Sequence, residues 1–376
     1  MKTTVYMVRH CESEGNACRR SHAQFDGIVT RKGLLQSDAL AKRFADVPVT
    51  AIYSSDAYRS RMTAEPLAAA KGLPVQLRML LREYTIGTWE GVGIARSARQ
   101  NPDLYPTWIT TPYAHNIPGA DPFSVVAERG CEAIQRMAKE NPGGVVVAIT
   151  HSCTLNCTLT RLLGQPISYY TQIKSGDNTA VTKLEVDEKG NVEVLYINDD
   201  SHLPPELLRK NYTGRGPETN FDFEYISLPQ DDARYAQTVE QAVQQLPDWN
   251  DASDIRAKVE ESLSQNSDYA FFPVLLDRTC GIVTVKKNAE MPADCGQLTG
   301  MFIPDDLRNK GYTEQAFGEV IDVLRRRGCR YVVLENKNDP HFRLLIDRFI
   351  FEPMPGYDGF MRMRVTVPGV EGPIYG

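Results

Sequence analysis

Two histidines and two arginines of this chain stand where predicted strands end. Arg9 and His10 directly follow a first apolar run, Arg59 comes shortly after a second, and His151 directly follows a third. Because the carboxyl ends of parallel strands meet at one edge of a sheet, these side chains are expected to share a site there. A neutral imidazole can attack phosphorus while guanidinium groups neutralise the charge on the phosphoryl oxygens. The pattern predicts phosphoryl transfer through a transiently phosphorylated histidine.

A carboxyl group and a competing arginine complete the set of candidates. Glu83 lies in LREYTIGTWEG, and Arg61 shares the turn SSDAYRSRMTA with Arg59. Counting from the Ser-Ser-Asp of that turn favours Arg59 for the site, with Arg61 as a flanking surface charge. Two histidines, at least two arginines and one carboxylate near strand ends form a combination that is hard to obtain by chance.

The elements that must position these residues follow from the alternation of short β-branched runs with longer amphipathic stretches. Over the first 200 residues this alternation predicts an α/β fold with βαβ units on a mostly parallel sheet. Residues 180–186 and 192–197 predict a closing hairpin, and the dense turn-forming residues over 198–219 mark a linker. We therefore predict a first domain over residues 1–203, a linker over 204–218 and a second domain over 219–376.

The second half follows a separate mixed α/β pattern, and no internal repeat relates it to the first half. Its predicted strands lie near residues 221–228, 269–276, 281–287, 297–303, 331–335 and 360–367. Its predicted helices lie near residues 231–245, 253–263, 311–327 and 340–349.

Over residues 1–203 the sequence resembles the histidine phosphatase superfamily, also called phosphoglycerate-mutase-like. The motifs that carry this resemblance are RHCESEGN, VTRKGLLQ, SSDAYRSRMTA, the segment 83–91, ITHS and Asn178. The resemblance implies a three-layer sandwich that acts on a small phosphorylated metabolite and needs no metal or other cofactor. It also implies roles for single residues: His10 as the nucleophile, Glu83 as the proton donor to the leaving oxygen, Arg9, Arg59 and His151 around the phosphate, and Asn16 and Ser13 as substrate-binding residues.

Cys11 departs from the family pattern, which usually has glycine at this position. One interpretation is a tolerated small residue. A second is a thiolate stabilised by Arg9, which would make the site sensitive to oxidation. A third is that Cys11 has disabled the site, leaving a non-catalytic sensor of phosphate ligands.

The segment between Glu83 and His151 bears on the choice between hydrolysis and mutase-type phosphotransfer. It holds 67 residues, with Trp89, Tyr105 and Trp108 among them, and is expected to form the lid that selects the substrate. It looks shorter than the lid of cofactor-dependent mutases, which must keep an intermediate away from water. We therefore expect hydrolysis, with mutase activity as the alternative.

The second half contains a loop that could cradle a pyrophosphate. In FIPDDLRNKGYTEQAF, backbone N–H groups precede a long amphipathic helix, and Gly311 would let a ligand approach closely. The loop, and the order of strands and helices over residues 219–367, resemble the GNAT acetyltransferases. This resemblance implies that acetyl-CoA binds at Arg308, Lys310, Gly311, Tyr312 and Thr313.

Two residues depart from the GNAT pattern. Thr313 stands where the family prefers glycine or alanine, and Ile346 falls where a tyrosine commonly serves as the acid. Three interpretations stay open for this domain: an active acetyltransferase, an acyl-CoA-binding regulator and a structural module.

Composition excludes several classes of protein. The net charge of −6 gives no global attraction to nucleic acid or anionic lipid, and the apolar run 143–150 is too short to cross a membrane. The absence of a signal peptide's apolar core predicts a cytoplasmic protein with its eight cysteines reduced. Cys153 and Cys157, four residues apart, could suggest a metal site, but buried small hydrophobic residues are the better interpretation.

Overall fold

The computed structural model describes residues 1–208, 217–225, 233–245 and 252–368. Its described residues form two compact units. The first unit draws on Met1–Ser13, His22–Glu90 and Asn101–Asn211. The second unit draws on Glu14–Ser21, Gly91–Gln100 and Tyr212–Gly376.

The helices are α1 (Glu14–Ala17), α2 (Arg31–Arg43), α3 (Tyr58–Lys71), α4 (Ile94–Gln100), α5 (Tyr105–Thr110), α6 (Phe123–Glu140), α7 (Ser152–Leu162), α8 (Ala233–Gln245), α9 (Ala252–Gln265), α10 (Tyr312–Arg326) and α11 (Pro340–Arg348). The strands are β1 (Thr3–Arg9), β2 (Ala51–Ser54), β3 (Val75–Leu77), β4 (Val145–Thr150), β5 (Val181–Val186), β6 (Val192–Asp199), β7 (Asp222–Tyr225), β8 (Ala270–Leu275), β9 (Arg278–Thr279), β10 (Ile282–Lys286), β11 (Cys295–Phe302), β12 (Tyr331–Glu335), β13 (Glu352–Pro353) and β14 (Phe360–Arg364). Short 3₁₀ turns connect several of them.

The first unit is built on a six-stranded sheet with the order β3-β2-β4-β1-β5-β6. Strands β1 to β4 pair in parallel, whereas β5 pairs antiparallel with both β1 and β6. The mostly parallel sheet and the closing hairpin predicted from the sequence are thereby confirmed.

Helices cover both faces of this sheet, which makes three layers. Alternate residues of β4 point to opposite faces, because successive side chains of a strand do so. Val146 and Ala148 pack against α6 and α7, whereas Val147 and Ile149 pack against α2 and α3. Both faces of the strand are therefore apolar, which is why its sequence reads as one continuous hydrophobic run.

Part of the predicted linker packs within the first unit. Residues Pro205–Leu207 form a 3₁₀ turn, and the Leu207 side chain is buried. The Gln36 amide donates to the Leu207 carbonyl at 2.9 Å, and the Lys32 amine donates to the Leu208 carbonyl at 2.7 Å. These bonds tie the turn to α2, so residues 204–208 do not behave as a linker. Residues 209–216 of the predicted linker lie outside the described part of the chain.

The second unit contains a mixed sheet with the order β13-β14-β12-β11-β10-β8-β7, and β9 pairs with β8. The predicted strands and helices of this half each have a counterpart, apart from residues 226–228 and 231–232, which lie outside the described residues. The last strand ends at Arg364 rather than at residue 367. Strands β11 and β12 pair in parallel only over Cys295–Gln297 and Tyr331–Val333, although β11 continues to Phe302.

Helix α10 is buried on all sides in the second unit, although it carries charged residues. Two short segments from the first hundred residues, Glu14–Ser21 and Gly91–Gln100, belong to this unit. Arg325 of α10 contacts both carboxylate oxygens of Glu14, at 3.2 and 2.8 Å. Arg20 forms ion pairs of 3.1 Å with Glu319 and with Asp322. The predicted boundaries take no account of these two segments.

Within the described residues, no helix combines the length and the apolar character needed to cross a bilayer.

Candidate active site

The register of β1 and β4 brings the two predicted histidines together. These neighbouring parallel strands pair Arg9 with Thr150, so the next residues, His10 and His151, emerge side by side at the carboxyl edge of the sheet. Their ring centroids lie 5.1 Å apart. Both side chains are buried.

The main chain fixes which nitrogen of His10 carries the proton. Nδ1 lies 2.7 Å from the carbonyl oxygen of Cys11, and a carbonyl oxygen only accepts hydrogen bonds. Nδ1 therefore donates, which leaves the lone pair on Nε2. Burial holds the pKa of His10 well below its usual value of 6.5, and the charges of Arg59, His151 and Arg9 lower this pKa further. His10 is thus a neutral imidazole with Nε2 available as a nucleophile.

His151 takes the opposite tautomer. Nη2 of Arg59 donates to Nδ1 of His151 at 3.1 Å, so Nε2 carries the hydrogen. Nε2 lies 2.9 Å from Oγ of Ser55 and 3.4 Å from Oγ of Ser60. Burial and the charge of Arg59 also hold the pKa of His151 well below 6.5.

Arg59 is fully buried at the start of α3. Its Nη1 forms an ion pair of 3.1 Å with Asp26, and its Nη2 donates to the Ala23 carbonyl at 2.8 Å. Its Nε is buried and has no hydrogen-bond partner among the described residues. Arg61 instead lies over the ring of Tyr58. The structure therefore brings Arg59, and not Arg61, against the histidines.

Arg9 is held at the sheet edge by the loop that precedes β5. Its Nη1 donates to the carbonyl of Gly176 at 2.8 Å. Its charge lowers the pKa of both His10 and His151.

Glu83 is bound by the first turn of α7, the helix that begins directly after His151. Its Oε1 accepts the N–H and the hydroxyl of Thr154 at 2.8 and 2.9 Å. Its Oε2 accepts the N–H of Cys153 at 3.1 Å. Since a carboxylate oxygen has two lone pairs, Oε2 keeps a site for a proton.

The two predicted substrate-binding residues belong to different units. Ser13 is buried in the first unit, with its Oγ 3.3 Å from Nε2 of His22. Asn16 lies in α1, which belongs to the second unit. The substrate-binding role of both residues stays a prediction.

His22 also lies beside His10, although the sequence did not point to it. Its ring lies 5.9 Å from that of His10 in an edge-to-face arrangement, and it lowers the pKa of both His10 and His151. It lies in the irregular segment between α1 and α2, where no strand or helix pattern signals a position. Its chemistry, a third imidazole soon after the RHCESEGN motif, was the only signal available.

Cys11 is a buried thiol rather than a stabilised thiolate. Its side chain has no exposed surface, and burial raises its pKa to about 11. Its N–H donates to Oγ1 of Thr63 at 2.8 Å. The thiolate interpretation is therefore wrong. The disabled-site interpretation gains no support, because the bond from His10 goes to the main-chain carbonyl of Cys11, which any residue would supply.

Cys153 and Cys157 are both buried in α7, with their sulfur atoms 3.8 Å apart. Among the described residues, no group of three or more histidine, cysteine, aspartate or glutamate side chains could hold a metal ion. Their burial fits the interpretation of small hydrophobic residues.

The predicted lid is smaller than the whole segment between Glu83 and His151. Helix α6 lies inside that segment, but Ile134 and Met137 of α6 belong to the core. Helix α4 belongs to the second unit. Three aromatic rings of the remaining part, Trp89, Tyr105 and Trp108, pack within 5.5 to 6.0 Å of one another.

The loop expected to hold acetyl-CoA has a main-chain conformation that suits a pyrophosphate, but its cationic side chains already have partners within the protein. Asn309 and Gly311 have φ angles of 58° and 81°, and Gly311 directly precedes α10, whose first N–H groups lack acceptors within the helix. Arg308 forms an ion pair of 2.5 Å with Asp305, and the Lys310 amine donates to the Asp306 carbonyl at 2.7 Å. The fit to a pyrophosphate therefore rests on the backbone.

The remaining predicted residues of this loop are buried, and the position at which the family has its acid carries an apolar side chain. Tyr312 and Thr313 are buried, and Ile346 lies half-buried on α11 without a phenol to donate a proton.

Comparisons with known proteins match each half of the chain to a family. A model of the histidine phosphatase superfamily (branch 1) matches residues 5–200, and a model of the acetyltransferase (GNAT) family matches residues 235–345. Phosphoserine phosphatase 1 of Hydrogenobacter thermophilus is 26% identical over 199 residues, which are 53% of this chain and 93% of that protein.

Two further relatives and one solved structure are similar to the first half. The metal-independent phosphoserine phosphatase of Arabidopsis thaliana is 30% identical over 43% of this chain and 68% of its own length. The probable phosphoglycerate mutase GpmB of Escherichia fergusonii is 31% identical over 43% of this chain and 75% of its own length. The structure of Bacillus stearothermophilus YhfR has a TM-score of 0.51 and 29% identity, covering 53% of this chain and 98% of that one.

Proposed function

This chain belongs to the histidine phosphatase superfamily, and on that basis we propose that its first unit hydrolyses phosphomonoesters of small metabolites through a phosphohistidine on His10. The observation that carries the proposal is the tautomer of His10. Its Nδ1 is committed to the Cys11 carbonyl, so the lone pair is on Nε2 of a ring whose centroid lies 5.1 Å from that of His151. A neutral, oriented imidazole is the form that attacks phosphorus.

In the proposed first step, a bond forms between Nε2 of His10 and phosphorus while the bond from phosphorus to the ester oxygen breaks. Glu83 supplies the proton that the leaving oxygen takes up. Arg9 and Arg59 offset the negative charge on the phosphoryl oxygens, and the buried setting strengthens that interaction. In the second step, water attacks phosphorus and gives one proton to the Glu83 carboxylate, while the nitrogen–phosphorus bond breaks and inorganic phosphate leaves.

Phosphoserine is the first substrate to assay, because two of the relatives are named phosphoserine phosphatases. Mutase-type transfer is the alternative, since another relative is named a probable phosphoglycerate mutase. An assay with a phosphorylated donor and a hydroxyl acceptor separates the two: hydrolysis releases phosphate, whereas a mutase moves the label to the acceptor.

Rapid-quench labelling tests the nucleophile. Wild type incubated with a labelled phosphomonoester should show acid-labile, protein-bound phosphate, and His10→Ala should show none and lose several decades of rate. His115→Ala is the matched control, because the His115 ring bonds the Asp121 carbonyl instead of the site. Equal labelling of wild type and His10→Ala would remove His10 as the nucleophile.

For the second unit we propose acyl-CoA binding, with acetyl-CoA as the ligand to test. The observation that favours it is the early end of the β11–β12 pairing, which among the described residues leaves β11 beyond Gln297 without β12 as a partner. Ile346 offers no acid for acetyl transfer, so binding rather than catalysis is proposed. Calorimetric titration with acetyl-CoA should give a saturable heat, and the absence of heat would leave a structural module.

A cytoplasmic location is part of the same proposal. All eight cysteines are free thiols in the structure, as is usual in a reducing compartment. Cell fractionation followed by detection of the full chain would test it.

A further inference from the structure

Thr179 has a strained backbone directly beside the nucleophile. Its φ angle is 65°, in the left-handed region that β-branched residues rarely adopt. Its side chain is completely buried. Strained conformations of this kind persist only where the surroundings impose them, and they cluster at functional sites.

The strained conformation points the Thr179 N–H at the main chain of the catalytic strand end. This N–H donates to the carbonyl of Arg9 at 3.0 Å and also lies 3.4 Å from the carbonyl of His10. The side-chain amide of Asn178 donates to the same His10 carbonyl at 2.9 Å. Residues 178 and 179 therefore hold the backbone from which the His10 imidazole projects.

A series of hydrogen bonds holds the Thr179 side chain. Each bond runs from donor to acceptor in the same direction, from Arg43 through His202 and Thr179 to Asn178. Nη1 of Arg43 lies 3.2 Å from Nδ1 of His202, and since a guanidinium only donates, Nδ1 accepts. Nε2 of His202 therefore carries the hydrogen and donates to Oγ1 of Thr179 at 3.1 Å. The Thr179 hydroxyl then donates to the Asn178 carbonyl at 2.7 Å.

Arg43, at the start of this series of hydrogen bonds, is held by a charged partner. Nη2 of Arg43 donates to the Asp199 carboxylate at 2.6 Å and to the Tyr196 hydroxyl at 3.2 Å. Burial and the nearby Arg43 lower the pKa of His202 to about 4, so this imidazole is neutral near pH 7 and can accept from Arg43. The bonds from Arg43 through His202 and Thr179 to the Asn178 carbonyl thus each join a donor to an acceptor.

We propose that Thr179 is a positioning residue for His10, and that the Arg43–His202 relay holds Thr179 in its strained conformation. Neither Thr179 nor His202 needs to contact the substrate for this role. The Thr179 N–H reaches the main-chain carbonyls of Arg9 and His10, and His202 acts on that contact only through the Thr179 hydroxyl. The kinetic test rests on the proposed function, whereas the spectroscopic test below does not.

A substitution series at Thr179 separates its hydroxyl from its backbone strain. Thr179→Ser keeps the hydroxyl and should retain kcat within about twofold. Thr179→Ala and Thr179→Gly lose it and should lower kcat about tenfold or more with little change in KM, because a small displacement of a nucleophile is costly. Thr182→Ala is the matched control, since that buried hydroxyl bonds Asn198 on β6. A Thr179→Ala enzyme with wild-type kcat would overturn the proposal.

A double-mutant cycle tests whether His202 acts through Thr179. His202→Leu should lower kcat as much as Thr179→Ala, and the double variant should lose no more than either single variant. Additive losses would show that His202 acts independently and would overturn the relay.

Imidazole nitrogen NMR of the full chain reads the relay without any activity. His202 should carry its hydrogen on Nε2 in wild type, and His10 should carry its hydrogen on Nδ1 less completely in Thr179→Ala than in wild type. A His202 hydrogen on Nδ1, or a His10 tautomer unchanged in Thr179→Ala, would overturn the inference. An inactive wild type with the expected tautomers would instead reject the proposed hydrolysis alone.

Discussion

The imidazoles of His10 and His151 are kept neutral by the same two causes. Burial penalises the charged form of each ring, and the buried guanidinium of Arg59 repels a second positive charge nearby. The two rings nevertheless hold opposite tautomers, because one faces a carbonyl and the other faces an arginine. His10 thereby presents a nucleophilic Nε2, whereas His151 presents Nε2–H as a hydrogen-bond donor.

The pH dependence of the reaction follows from these lowered pKa values. Protonated His10 cannot attack phosphorus, but its folded pKa lies well below 6.5, so the free imidazole persists as the pH falls through 6.5. The acid limb of kcat/KM should therefore lie clearly below pH 6.5, as a profile measured from pH 4 to 10 would show. A limb centred at or above pH 6.5 would contradict the assignment of His10.

Arg59 and Arg61 form a matched pair for substitution. Arg59→Ala removes the charge that contacts His151 and should lower kcat/KM by a hundredfold or more, roughly the effect of losing one charge-stabilising donor. Arg61→Ala should change kcat/KM by no more than about threefold, because Arg61 lies over Tyr58 outside the set of contacting residues. Steady-state kinetics of both variants, with thermal unfolding as a check on folding, decides between them. If Arg61→Ala lowered kcat/KM more than Arg59→Ala does, Arg61 would replace Arg59 as the arginine of the site.

At the scale of elements, the packing of α6 against α7 controls where Glu83 is held. Gly130 of α6 faces Thr158 of α7 so closely that an added Cβ would lie 1.8 Å from the Thr158 Oγ1. The first turn of α7 supplies the donors to Glu83. A displacement of α7 would therefore reach the site.

Gly130→Ala should lower the free energy of unfolding by about 1–3 kcal/mol through overpacking and should also lower kcat. Thr158→Ala in the same chain should recover part of both losses, because it removes the nearest clashing atom. Gly93→Ala is the control, since a Cβ there would meet no atom of the described residues within 4 Å. Denaturant unfolding and steady-state kinetics measure the two effects, and an unchanged stability in Gly130→Ala would refute the predicted clash.

The strand ends were predictable from the sequence because each buried parallel strand is a short β-branched run. The residue that directly follows such a run must lie at the strand end, since it is covalently attached to it. Arg9, His10 and His151 were located in this way. His22 and Thr179 were not, since neither a periodic pattern nor a strand places His22, and a positive φ at a β-branched residue has no sequence signal. The turn at 205–207 resembled a linker by its prolines, although Leu207 is buried.

At the scale of the whole molecule, the buried charges of α10 explain why residues from the first hundred belong to the second unit. The side chains of Glu14 and Arg325 are 1% and 3% exposed, so each would be an uncompensated buried charge without the other. The periodicity of the sequence predicts the apolar face of α10. It does not predict that residues of Glu14–Ser21 cover the polar face as well. This pairing over 311 positions was therefore beyond prediction from one sequence.

A substitution cycle at this ion pair should show that the unpaired charge is the costly state. Glu14→Leu and Arg325→Met should each lower the free energy of unfolding by about 3–5 kcal/mol, whereas the double variant should lose much less. Chemical denaturation followed by circular dichroism measures all three. Additive losses in the double variant would mean that the two side chains do not stabilise each other.

The interleaving of the chain constrains the order in which it can fold as it leaves the ribosome. Glu14 is synthesised 311 residues before its partner Arg325. Until then Glu14 and Arg20 must stay hydrated. The second unit is consequently completed only after Arg325 has been synthesised, and a gene split between the two halves would separate residues that one unit requires.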